Sequence, residues 1–172
     1  MPQHSSLYAP WRMDYIKSLG VKTPGGGDDG KCFLCEAAAA ADEATRRQRL
    51  VLWQTELSVV LINRYPYTNG HLLIAPLAHK AEMEELTDAE LADLGRQTTA
   101  AVRLLKQAVS AQGFNIGINL GRVAGAGVPG HLHQHIVPRW GGDVNFMHVV
   151  GEVSIVPQAT EQLYDELMRV KG

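Results

Sequence analysis

HLHQHIVPRW, residues 131–140, sets three histidines at alternate positions directly behind the glycine-rich run GRVAGAGVPG, residues 121–130. A period of two is the period of a strand. His131, His133 and His135 would line one face while Leu132, Gln134 and Ile136 line the other, whereas a helix would scatter them. The β-branched and apolar content of HIVP, with Gly130 in front and Pro138 behind, favours the strand. Imidazoles side by side on one face resist being charged together, so some stay neutral near pH 7 and available as nucleophile or ligand. The adjoining AGAGVPG can bring backbone N–H groups close to an anion, because no Cβ blocks the approach at Gly125 or Gly127. A histidine nucleophile beside a backbone anion cradle points to phosphoryl or nucleotidyl transfer.

Upstream, VLW, LSVVLINR and HLLIAP are apolar or β-branched runs separated by turn chemistry, clearest in YPYTNGH with Pro66 and Asn69-Gly70. Thr87 and Glu90 have capping-box spacing and announce the longest helix, whose Leu91, Leu94, Val102, Leu105 and Val109 fall at helical intervals and form its core stripe. FNIGINL reads as the strand before the glycine loop, and LHQHIVP pairs beside it. A last strand, HVVGEVSIV, and a short helix from Ala159 complete the chain. Before the first strand, the alanine-rich CEAAAAADEATRRQRL predicts a helix. Strands joined mostly by hairpin-length turns, with helices gathered between them, predict an α+β fold on an antiparallel sheet of about five strands. Residues 1–31 form an arm and a glycine-rich connector, and residues 32–172 one domain.

With 172 residues, of which 45% are hydrophobic, the chain can bury a core without disulfide staples. A net charge of -2 argues against bulk nucleic acid as a partner. The N-terminal residues lack an apolar leader core and no run approaches the length of a bilayer span, so the expected compartment is the cytoplasm. The only two cysteines, Cys32 and Cys35, leave a redox dithiol or half of a metal site. They follow the loop KTPGGGDDG rather than a βαβ pattern, which weakens the redox reading. That loop matches neither phosphate-binding glycine motif, and Asp28 and Asp29 would repel an anion.

HLHQHIV resembles the signature of the histidine triad (HIT) superfamily of nucleotide hydrolases and transferases. VVLINRYPYTNGHLLIAPLAH, FNIGINLGRVAGAG and PRWGGDVNF are similar to segments of its Fhit-like branch, which acts on diadenosine polyphosphates; APWRMDYI and CFLC match bacterial members near that branch. Gln134 departs from the pattern by occupying a position that is usually apolar. The resemblance implies that His133 attacks the α-phosphorus of a nucleotide to give a covalent nucleotidyl-histidine, while His135 contacts phosphate oxygens and helps to protonate the leaving group. Asn119 would bind near the scissile phosphate, if a one-residue difference in loop length is allowed. Asn63 matches a ribose-contacting residue, and His71 a further histidine beside the triad. Cys32, Cys35, His79 and His131 match the ligands of a structural zinc in the zinc-carrying members, and a homodimer is expected by resemblance alone.

The acceptor stays open: water makes a hydrolase, inorganic phosphate a phosphorylase, and a second nucleotide or sugar phosphate a transferase. Two readings from other classes stand beside these. One is a slow nucleotide-binding or signalling protein, against which the intact His133 speaks. The other is a metal protein in which all three triad histidines are ligands, which would leave the glycine loop and Asn119 without a purpose.

Overall fold

The structure, a computed structural model, describes residues 32–143 and 158–172; the N-terminal arm, the connector and the strand expected in HVVGEVSIV lie outside them. Helices α1 (Phe33–Ala38) and α2 (Glu43–Gln48) precede strands β1 (Val51–Gln54), β2 (Ser58–Ile62) and β3 (Leu72–Pro76). The long helix α3 (Asp88–Ala108), strands β4 (Gly113–Ile118) and β5 (Gln134–Arg139), and helix α4 (Thr160–Lys171) follow. The five strands form one antiparallel sheet in the order β1-β2-β3-β5-β4. No helix among the described residues is long and apolar enough to cross a membrane.

The continuous apolar runs of β2 and β3 are buried along their whole length, as strands covered on both faces must be. On one face Val60, Ile62, Leu72, Ile74 and Ile136 pack against Leu94, Ala101, Leu104 and Leu105 of α3 and Leu163 and Leu167 of α4. On the other, Val59, Leu61, Leu73 and Ala75 pack against Leu34 and Ala37 of α1. This second cluster stops at β3. Leu73 pairs with His135, so the same face continues onto β5 as histidine instead of hydrocarbon.

Thr87 caps α3 and shares a capping box with Glu90, as the spacing predicts. Leu91 does not join the core and stays 38% exposed, because in this first turn the buried Glu90 turns inward to Lys80. The alanine-rich segment forms two short helices rather than one. Asp42 starts the second, its carboxylate accepting from Thr45 N at 2.9 Å and Thr45 Oγ1 at 2.7 Å, so a local cap overrides alanine's propensity. The turn before β3 is seated by Gly70, whose φ of +77° favours glycine and where a Cβ would stand 3.1 Å from both Leu105 and Pro138.

Regular strand begins only at Gln134, so His131 and His133 sit on an extended lead-in rather than on the strand itself. β4 has already ended opposite Gln134, and Leu132 N–H turns to the Lys80 carbonyl at 2.7 Å. The alternation survives the change. Leu132 and Ile136 enter the α3-side core, and Gln134 Oε1 shares, at 3.3 Å, the Thr98 Oγ1 proton that also goes to the Leu94 carbonyl at 2.7 Å, a polar contact for the polar residue at that position.

Candidate active site and metal centre

His71, at the entry to β3, is fully buried beside the β5 histidines. Tyr67 N–H donates to His71 Nδ1 at 3.1 Å, so that nitrogen is an acceptor and the ring proton lies on Nε2. Nε2–H then donates to His135 Nδ1 at 2.9 Å. The proton of neutral His135 is thereby placed on its Nε2, a buried atom with no hydrogen-bond partner among the described residues. His133 has the complementary arrangement. Its Nδ1–H donates to the His131 carbonyl at 2.8 Å, leaving a lone pair on Nε2. The rings of His133 and His135 lie 5.1 Å apart, so one donor and one nucleophilic nitrogen share a face.

Burial keeps these rings neutral. It pushes His71 down to about 3, with repulsion from His135 and His133 adding to it. It pushes His135 down to about 4, aided by His133. Burial also lowers His133, against the opposing effect of its bond to the His131 carbonyl. At pH 7 each is a neutral imidazole with its proton assigned by a neighbour.

His131 faces the other way. Its Nε2–H donates to the Pro76 carbonyl at 2.9 Å, and its Nδ1 lies 3.3 Å from Cys32 Sγ and 3.4 Å from Cys35 Sγ. His79 Nδ1 is 3.1 Å from Cys35 Sγ. The ligand atoms of Cys32, Cys35, His79 and His131 all fall within 4.8 Å of one another. Sulfur and nitrogen ligands of a tetrahedral zinc stand about 3.6 Å apart, so the cluster fits that ion in chemistry and size. Burial, together with Cys32, pushes the Cys35 thiol up to about 11, a penalty that a cation at the centre would reverse. Only His131 of the triad takes part in this cluster.

Other expected residues are placed less directly. Asn119 is half-buried directly after β4, whose pairing with β5 ends one residue earlier at Ile118–Gln134. Gly125 has a φ of +92° and open space at its Cβ position, but its N–H already donates to the Arg122 carbonyl at 3.0 Å. Gly127 is likewise open on its Cβ side. Asn63 organises the turn: its Oδ1 accepts from Tyr65 N–H at 3.0 Å and its Nδ2 donates to His71 Nδ1 at 3.3 Å. Tyr67 is absent from the expectations yet reaches both His71 and His135, and its position four residues before His71 is its one sequence signal. The carbonyls of Pro76 and Lys80, which orient the triad segment, carry no side-chain signal at all.

Residues 45–142 match the HIT domain family. The AP-4-A phosphorylase of Mycobacterium tuberculosis is 38% identical over 157 residues, or 91% of this chain and 78% of that protein. The asymmetrical bis(5'-nucleosyl)-tetraphosphatase of Schizosaccharomyces pombe is 37% identical over 89 residues, covering 52% of this chain and 48% of its own. A Zn-bound histidine triad family protein from Mycobacterium smegmatis shares the fold, with a TM-score of 0.64 at 23% identity over 81% of this chain and 92% of that one. The period-two histidines, the strand order and these likenesses agree, and the chain belongs to the HIT domain family.

Proposed function

We propose that the protein cleaves dinucleoside polyphosphates at the α-phosphate through a nucleotidyl-His133 intermediate, with inorganic phosphate or water as the second substrate. The observation that carries this is the proton assignment: a lone pair on His133 Nε2 beside an N–H on His135 Nε2. His133 Nε2 attacks phosphorus and the bond to the leaving oligophosphate breaks, its electron pair going to the departing oxygen. His135 Nε2–H donates to that oxygen or to a phosphate oxygen, and the His131 carbonyl steadies the proton on His133 Nδ1 as the ring becomes cationic. In the second step the acceptor oxygen attacks, the P–N bond breaks and its pair returns to Nε2. Asn119 and Gly127 hold phosphate oxygens on a loop braced by the Gly125 N–H bond to the Arg122 carbonyl; Asn63 lies at the ribose end, and the buried His71, bonded through both ring nitrogens, acts through His135. Cys32, Cys35, His79 and His131 would hold a structural zinc, which ties the N-terminal segment to the catalytic lead-in. A homodimer through the edge of β4, which pairs with no further strand among the described residues and where Asn115, Ile116 and Gly117 are exposed, completes the proposal; the mass in solution by light scattering tests it.

Diadenosine tetraphosphate, incubated with and without inorganic phosphate, decides the acceptor. The 38% identity with a phosphorylase over 91% of the chain supports ADP plus ATP, formed only when phosphate is present. AMP plus ATP would make the protein a hydrolase. Two ADP would mean attack away from the α-phosphate, and the assignment would fall.

His135→Asn separates the two halves of that residue's role. An oligophosphate leaves as a weak base, whereas the nitrogen of a phosphoramidate must be protonated before it leaves. The variant should therefore lose about tenfold more turnover on an adenosine phosphoramidate than on a diadenosine polyphosphate. Equal losses would leave His135 with phosphate binding alone.

A further inference from the structure

We infer that Tyr67 is a positioning residue for this chemistry: its backbone N–H sets the proton of the His71–His135 pair on Nε2 of His135, and its ring walls the pair off from water. The inference rests on the proposed reading of His135 as a proton donor. A hydrogen bond between two neutral imidazoles allows two proton arrangements. In one, His71 donates to His135 Nδ1 and His135 offers N–H at Nε2. In the other, His135 donates back, offers only a lone pair to an anionic phosphate, and leaves a proton on His71 Nδ1. That second arrangement would set two N–H groups head-on, because Tyr67 N–H already points at His71 Nδ1 from 3.1 Å. Asn63 acts in the same sense, since its Oδ1 is held by Tyr65 N–H and its Nδ2 faces His71.

The turn is built to keep Tyr67 N–H in place. Thr68 Oγ1 shares its proton between the Asn69 carbonyl at 3.1 Å and the Pro138 carbonyl of β5 at 3.2 Å, and Gly70 is wedged between Leu105 and Pro138. The ring then covers the pair. Its centroid lies 4.6 Å from that of His71, and 5.8 Å from that of His135 with the planes only 18° apart. Tyr67 is exposed while His71 is fully buried, so the ring stands between solvent and the two imidazoles. The hydroxyl has no hydrogen bond among the described residues, which assigns the role to the ring and not to the phenol. The titratable groups facing the pair are His133, on the lead-in to β5, and Tyr67 itself.

Long-range imidazole proton–nitrogen correlation spectra of the ¹⁵N-labelled protein test both parts without any substrate, so failure on dinucleoside polyphosphates would sink the activity and leave this result standing. The intact protein should show His135 protonated at Nε2 and His71 bare at Nδ1; the opposite tautomers overturn the inference. Tyr67→Ala keeps the N–H and removes the wall. His71 and His135 should then take up protons about one pH unit or more higher, since water reaches them. kcat on an adenosine phosphoramidate should fall about tenfold with KM little changed. Tyr67→Phe should restore the spectra and the rate. Unchanged titration in the Ala variant, or a Phe variant as impaired as Ala, would overturn the role given to the ring.

Discussion

Turnover of a His133→Ala protein is expected to fall by about 10⁴-fold or more, because the substitution removes the proposed nucleophile itself and not a group that assists it. At about 1.4 kcal/mol per tenfold this is more than about 5 kcal/mol of barrier. The fold should survive. His133 is buried but contributes no member to either apolar cluster, and its loss strands one acceptor, the His131 carbonyl. An unpaired buried acceptor costs about 1–3 kcal/mol, which lowers Tm by a few degrees in a domain of this size. Nucleotide binding, measured by calorimetry on the variant, should persist, since the residues proposed to contact phosphate and ribose are others. Turnover at the unsubstituted rate would remove His133 from the mechanism.

Loss of the proposed zinc is the second large effect. Cys32→Ser with Cys35→Ser should release bound zinc and lower Tm together. A ligand present at about 1,000 times its Kd stabilises the folded state by about 4 kcal/mol. For a chain of this length that corresponds to about 10 °C. The effect should be local in its structural reach, since the core between the sheet and α3 contains none of the four ligands. Hydrogen exchange should speed up first in α1, which starts at Phe33 beside Cys32. Stoichiometric zinc in the double variant, by atomic absorption, would show that the metal lies elsewhere.

Particular residues show what could be read in advance. The apolar runs of β2 and β3, the Thr87–Glu90 cap and the period of His131, His133 and His135 are local signals, and each survives in the fold because tertiary packing agrees with it. The break at Asp42 was hidden because alanine propensity and a competing cap occupy the same ten residues. The lead-in character of His131 and His133 depends on where β4 ends and on the Lys80 carbonyl, neither of which is written in the histidines. The Cys and His ligands sit as far apart as 99 positions between Cys32 and His131; family resemblance, not spacing, joined them. Tyr67 was missed because its decisive group is a main-chain N–H, which every residue but proline carries.

Gln134, the departure from the family's apolar pattern, has a further consequence for how the chain avoids a wrong assembly. A strand that slipped by one residue against β3 would exchange its faces, carrying His135 beneath α3 and Ile136 into the open. Hydrocarbon alone discriminates weakly between such alternatives, since Leu132, Ile136 and Val137 offer apolar surface on both sides of the ribbon. In the native alignment the Gln134 amide meets Thr98 of α3, and a slip of one residue gives up that contact at a cost of about 1 kcal/mol. The polar residue thus acts as a proofreading mark during folding, and what it guards is the side of the sheet on which the imidazoles emerge.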